Sequence, residues 1–146
     1  MDLSKLKWPI IIFVVVGFSW LLSSPGVNYM YTKATKATVG ENAEQDVKDE
    51  ATLSTYGGYM LYMFRYQTAA NFFETAIDRY GPNGANYYYN LYRLARCYEK
   101  QERNQESLDI LRQLMAEDAH SYDDRVMTTN QMEQRAAKLK EVNGLQ

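Results

Sequence analysis

Hydrophobic and polar positions divide the chain near Lys33. From Trp8 to Leu22, fifteen residues (Trp-Pro-Ile-Ile-Ile-Phe-Val-Val-Val-Gly-Phe-Ser-Trp-Leu-Leu) are almost unbroken in apolar character, and no charged residue appears from Trp8 to Thr32. Extended to Val27, the run reaches about 20 residues, the length an α-helix needs to cross a bilayer core. It is rich in β-branched residues and has no polar face, unlike a helix packed on a soluble core. Pro9 stands where a helix start tolerates it, and Pro25-Gly26 reads as a stop. Trp8, Trp20, Tyr29 and Tyr31 are of the types that favour the membrane–water interface. Residues 1–27 are therefore expected to form a single transmembrane anchor. A cleaved signal peptide fits less well, because Pro25 lies beside the candidate cleavage region Leu22-Ser-Ser-Pro-Gly26. No cysteine follows the run as a bacterial lipoprotein would require. Lys5, Lys7 and the amino terminus precede the run, and Lys33 and Lys36 follow it. The positive-inside rule then favours a cytoplasmic N-terminus and an extracytoplasmic domain, periplasmic for a bacterial inner membrane. A cytoplasmic-facing domain is the alternative.

Residues 28–45 read as a juxtamembrane linker, becoming helical after Gly40. Beyond it the pattern repeats. Leu53, Gly57, Met60, Tyr66, Ala69, Phe73 and Ala76 align with Leu91, Ala95, Tyr98, Asn104, Ser107, Leu111 and Leu114 at a constant offset of 38. Intervals of 3 and 4 mark an apolar helix stripe, and the interval of 6 marks a turn between two helices. Each copy is thus a helical hairpin, with small residues where backbones approach closely. The fold class expected is all-α.

At these residues the chain resembles the tetratricopeptide repeat family, whose unit is a helix–turn–helix of about 34 residues. The second copy carries the likeness in Leu91-Tyr-Arg-Leu-Ala-Arg-Cys-Tyr-Glu-Lys and Ser107-Leu-Asp-Ile-Leu-Arg-Gln-Leu114, the first in Ala69-Ala-Asn-Phe-Phe-Glu-Thr-Ala-Ile77. Met60 stands where the family usually has tyrosine, and Tyr80-Gly-Pro-Asn-Gly-Ala85 enlarges the loop between copies. The two repeats are expected over residues 46–120. Residues 121–146 are expected to form a capping helix and tail, with Ser121-Tyr-Asp-Asp124 as the helix N-cap and Val126, Met132, Ala136 and Leu139 covering the last repeat.

Composition adds exclusions. Net charge is −2, without the clustered basic surface that nucleic-acid binding needs. One cysteine allows no internal disulfide, and Cys97 reads as a small buried thiol. His120 is the only histidine, and with Asp118, Asp123 and Asp124 it reads as a turn with cap carboxylates rather than a metal site. Gly57-Gly58 lacks the lysine of a phosphate loop and reads as a close-packing position. No catalytic residue, cofactor, metal or small-molecule substrate is expected.

Thirteen tyrosines remain to be placed. Tyr98 reads as core. The resemblance implies that Tyr89 and Tyr92 face a concave groove, with Arg93 and Arg96 on the same side and Tyr62 on the first helix. Tyrosine and arginine dominate binding hot spots, so these five are the expected protein-binding residues; the alternative is that the tyrosines are core. The expected function is a non-catalytic accessory or scaffold subunit of a membrane-bound complex, with membrane lipid and other subunits as partners. An envelope chaperone or adaptor for transient peptide clients is the alternative.

Overall fold

The computed structural model describes residues 3–145 and the side chains of residues 7–145. The Lys5 side chain and the amino terminus, on which the orientation expectation partly rests, lie outside them. The described residues form helices and no strand, so the chain is all-α. It divides into two compact units, Met1–Lys36 and Ala37–Gln146.

The first unit is a bent helix pair. Helix α1 (Leu3–Leu22) contains the apolar run, and its isoleucines, valines and phenylalanines are exposed around its circumference. Pro25-Gly26 does not end the helical path as the sequence suggested. The break falls at Ser23, and Pro25 occupies the first turn of α2 (Ser24–Ala34), where its missing N–H leaves no helix bond unmade. The stretch that lacks helix is residues 35–42, so residues 28–34 of the expected linker are helical. No single described helix is long and apolar enough to cross a membrane. Lys7–Leu22 and Ser24–Ala34 pass that test only together, bent by 69°.

The second unit is a stack of hairpins: α3 (Ala43–Tyr62) with α4 (Tyr66–Tyr80), then α5 (Tyr87–Lys100) with α6 (Asn104–Ala116), then the short α7 (Ala119–Tyr122) and α8 (Thr129–Asn143). Consecutive helices pack, and α8 closes on α6. Asn42 starts α3 by accepting from the Glu44 and Gln45 amides. The 38-residue period holds in the backbone. Both first helices end at equivalent residues, Tyr62 and Lys100, and both second helices begin at equivalent residues, Tyr66 and Asn104. At each joint one residue turns left-handed, Phe64 at φ 58° and Glu102 at φ 61°. The next amide reaches back across the helix end, Arg65 N to Met60 O and Arg103 N to Tyr98 O, both 2.9 Å. These bonds satisfy the last-turn carbonyls that a helix terminus leaves open.

The stripe residues are buried in both copies: Leu53, Gly57, Met60, Ala69, Phe73 and Ala76, and their counterparts Leu91, Ala95, Tyr98, Ser107, Leu111 and Leu114. Side-chain volumes exchange between copies. Gly57 lies against the Phe73 ring, whereas Ala95 shares its core with Leu111. Val126, Met132, Ala136 and Leu139 cover that second core as expected. Ser121-Tyr-Asp-Asp124 is not the cap of the last helix, because Ser121 and Tyr122 belong to α7. The cap is Thr128, whose hydroxyl accepts from Gln131 N while the Gln131 side chain accepts from Thr128 N. Met132, Ala136 and Leu139 repeat the 4 and 3 spacing of Leu91, Ala95 and Tyr98, so α8 packs like the first helix of a further hairpin.

Candidate protein-binding site

The five expected binding residues divide into interior and surface. Arg93 is only 8% exposed. Its Nη1 donates to Ser54 O at 3.0 Å, and its Nη2 donates to Asn90 Oδ1 at 2.8 Å and to Ser54 Oγ. Ser54 Oγ in turn donates to Asn90 Oδ1 at 2.8 Å. All of these acceptors are neutral, and Arg93 Nε and Asn90 Nδ2 are buried without a partner. The charge is held by ring faces instead. The Arg93 guanidinium lies 4.4 Å from the Phe73 centroid and 4.0 Å from that of Tyr89, and the Arg125 guanidinium lies 4.5 Å from the Tyr89 centroid. Asp123 fixes Arg125 with hydrogen bonds of 2.8 and 2.6 Å. Burial lowers the Arg93 pKa to about 10, with Arg125 adding repulsion.

Arg93 and Tyr89 are thus brought together, as members of an internal staple joining α3, α4, α5 and the turn before α8. Tyr92 packs against the second core. Arg96 is exposed on α5, and Tyr62 is 82% exposed at the end of α3. Tyr98 is core, with its hydroxyl donating to Glu74 at 2.6 Å and Arg103 stacked on its ring at 3.8 Å. Ser54, Asn90 and Arg125 were not singled out from the sequence, and Phe73 only as a residue of the apolar stripe. They lie 3 to 39 residues from Arg93, and only the fold assembles them.

Tyr62 belongs to a second surface whose other residues were missed, although comparing the two copies reveals them. The first joint reads Tyr62-Met63-Phe64 where the second reads Lys100-Gln101-Glu102. The two joints share one backbone geometry, so the difference is purely one of side chains. Tyr62, Met63 and Phe64 are 82, 40 and 76% exposed, and Tyr59, one turn earlier, is exposed too. The Phe64 and Tyr66 rings meet edge to face, with centroids 6.3 Å apart. A left-handed backbone at a phenylalanine is a strained arrangement that turns the ring outward from the helix pair. Large apolar side chains grouped at an exposed, rigid joint mark an interaction surface more often than chance exposure does.

A cleft of about 660 Å³ lies between the α5–α6 joint and α8. Its wall carries the carboxamides of Asn104, Gln131, Gln134 and Asn143, with Met127 and Leu139 among its apolar lining. The Arg135–Glu99 pair, at 2.7 Å, lies at its edge. Carboxamides both donate and accept, which is what an extended peptide backbone requires.

Elsewhere the side chains are committed to structure. Burial pushes the Cys97 thiol up to about 12, far from the range of a reactive thiolate. His120 Nδ1 bonds Val126 O at 2.8 Å and fastens the turn before α8. Among the described residues no three His, Cys, Asp or Glu side chains are placed to hold a metal ion. Comparison with known proteins adds no relative: no family model, curated protein or solved structure matches the chain.

Proposed function

We propose that the chain is a non-catalytic accessory or scaffold subunit of a membrane-bound complex. Helix α1 anchors it, and a tetratricopeptide-like array grips a neighbouring protein on the extracytoplasmic side, the periplasm if the membrane is a bacterial inner one. The observation that carries this reading is the apolar joint: Tyr62, Met63 and Phe64 are presented to solvent where the equivalent joint is polar and charged. Desolvating such rings against a partner is worth about 2 kcal/mol or more for a hot-spot residue. Their loss costs the fold little, because they cover no core. The aromatic rings Trp8, Trp20, Tyr29 and Tyr31, all exposed, suit the anchor's interface with lipid.

The test is a mild-detergent pull-down of the full-length chain with stoichiometry measured, beside a Tyr62→Ala/Phe64→Ala variant. Defined membrane subunits at integer ratios, lost in the variant while its helical signal and melting temperature hold, are the expected result. Integer partners that stay bound to the variant would refute the joint as the docking surface. The carboxamide-lined cleft favours a second reading, an envelope chaperone or adaptor for extended peptide clients. Substoichiometric recovery of many soluble proteins would favour it over the first.

A further inference from the structure

The bend between α1 and α2 is built into the backbone. Gly26 is buried at the inside of the elbow, and a Cβ there would overlap the Trp20 carbonyl oxygen and come within 2.7 Å of Leu21 Cα. Those are backbone atoms that cannot rotate away, so only glycine allows the approach. Ser23 Oγ donates to Trp20 O, Val27 N donates to Ser23 O at 2.9 Å, and the Trp20 and Tyr29 rings meet across the elbow at 6.0 Å. The 69° angle is therefore a fixed feature of this segment.

Dimensions then decide where α2 sits. The charge-free residues Trp8–Leu22 of α1 span about 22 Å at 1.5 Å per residue, and the whole helix, whose first turns carry lysines able to reach back to the headgroups, about 30 Å, against a hydrocarbon core about 30 Å thick. The 11 residues of α2 are about 16 Å long, but at 69° they advance only about 6 Å along the α1 axis. The headgroup layer outside the core is itself about 5–8 Å deep on each side. Composition agrees. Ser24, Asn28 and Thr32 recur every four residues as an exposed polar stripe, and on the opposite side Gly26, Met30 and Ala34 are buried. Tyr29, Tyr31 and Lys33 are exposed between the stripes, residue types that settle at headgroup level. An exposed asparagine and threonine on a helix crossing the hydrocarbon would be costly.

Resting on the anchor reading above, we infer that α2 does not extend the span: it lies along the membrane surface in the headgroup layer, with the elbow at Ser23–Gly26 marking the edge of the hydrocarbon core. The partner of this helix is the lipid headgroup region, and the elbow fixes the direction in which the chain leaves the membrane.

The test uses the full-length chain in sealed vesicles of phosphatidylcholine and phosphatidylglycerol, with Cys97→Ala removing the native thiol. Single cysteines replace residues 24 to 34 in turn, and labelling by a membrane-impermeant maleimide is scored. Protein exposed on the labelled face is the expected substrate; orientation is fixed by protease access to the C-terminal unit. A surface helix gives strong labelling at the exposed positions 24, 28 and 32 alike, and labelling at the exposed positions 29, 31 and 33 that is at least tenfold weaker in vesicles than in detergent, whereas 30 and 34, buried within the protein, stay weak in both. Labelling that climbs steadily from 24 to 34 would overturn the elbow while leaving the anchor standing, since it describes one continuous span. A chain extracted from the vesicles by alkaline carbonate would overturn both. In a Gly26→Val variant the periodic pattern should give way to the steady climb; persistence of the periodic pattern there would refute the role given to Gly26.

Discussion

The exchange of volumes between the two copies can be tested at Gly57. An ideal Cβ at this position would lie 2.5 Å from Phe73 Cε1, 2.8 Å from Cδ1 and 3.0 Å from Cζ. Carbon atoms settle at about 3.5–4.0 Å, so the ring would have to retreat by roughly 1 Å. Its route is closed, because Phe73 is fully buried and the Arg93 guanidinium lies 4.4 Å from its centroid. Overpacking of this kind costs about 1–3 kcal/mol, while replacing a mid-helix glycine by alanine returns about 1 kcal/mol of helix propensity. With the ring pinned, the packing cost belongs at the upper end, and Gly57→Ala should lose about 1–2 kcal/mol net. That corresponds to a fall in melting temperature of roughly 5–10 °C for a unit of this size. Thermal and urea unfolding of the full-length chain in mild detergent, followed by circular dichroism, would measure it. The second copy supplies the remedy. Phe73→Leu reproduces the Ala95–Leu111 pairing, so the double variant should recover at least about 1 kcal/mol relative to the sum of the singles. A Gly57→Ala protein as stable as its parent, or a double variant with no recovery, would refute the steric argument.

Ser107 has a fully buried hydroxyl without a partner, at the position where the first copy has Ala69. Ser107→Ala should be neutral or stabilising by up to about 1 kcal/mol, read from the urea midpoint. Arg93→Ala should lose about 2–4 kcal/mol, because it opens a gap beside two rings and removes the donors to Ser54 O and Asn90 Oδ1, leaving only the Ser54–Asn90 bond of that network. Alkaline stability follows from the buried thiol. Burial raises Cys97 from 9.0 to about 12, so the folded state holds a proton that the unfolded chain releases. Its contribution is complete below pH 9 and declines above it, by about 1.4 kcal/mol at pH 10. Tyr98, raised from 10.0 to about 12 by burial and by its bond to Glu74, extends the decline above pH 10. Arg93, lowered from 12.5 to about 10, acts in the opposite sense there. Between pH 9 and 10 Tyr98 and Arg93 only begin to titrate and act in opposite senses, so the thiol dominates that window. Stability of the Cys97→Ala variant should be flat across it while the parent's falls, as measured by urea unfolding at fixed pH values.

The repeat was legible because burial imposes it twice: the same spacing of apolar positions recurs 38 residues on, and the joints fall where the interval widens to 6. The left-handed turns at Phe64 and Glu102 were not legible, since neither residue type announces that backbone and the helix-end hydrogen bonds enforce it. Pro25-Gly26 misled for a related reason. Proline both ends and begins helices, and only the close approach of Gly26 to the Trp20 carbonyl decides which. Ser121–Asp124 carries cap-forming residue types, yet Asp123 is committed to Arg125 and the cap falls to Thr128. Arg93 was expected to line a groove because the family resemblance places its side of the helix there. Two rings and three neutral oxygens, brought from up to 39 positions away, make an interior for it that no local pattern encodes. The apolar joint was within reach of the sequence, through the contrast of Tyr62-Met63-Phe64 with Lys100-Gln101-Glu102.

The alternating column of Phe73, Arg93, Tyr89 and Arg125 has a consequence for how the array comes apart. In a linear stack of repeats each unit is stabilised by itself and by its immediate neighbours, so a short stack tends to fray from its ends. Here one side chain from the second hairpin is clasped by both helices of the first, and the next layer of the column reaches the turn that leads into the closing helix. Loss of the closing segment that carries Arg125 would uncover Tyr89, loosen the hold on Arg93 and so weaken the first hairpin as well. The column thus binds few units into one cooperative transition, and it gives a load applied at the aromatic joint a path through the array to its far end.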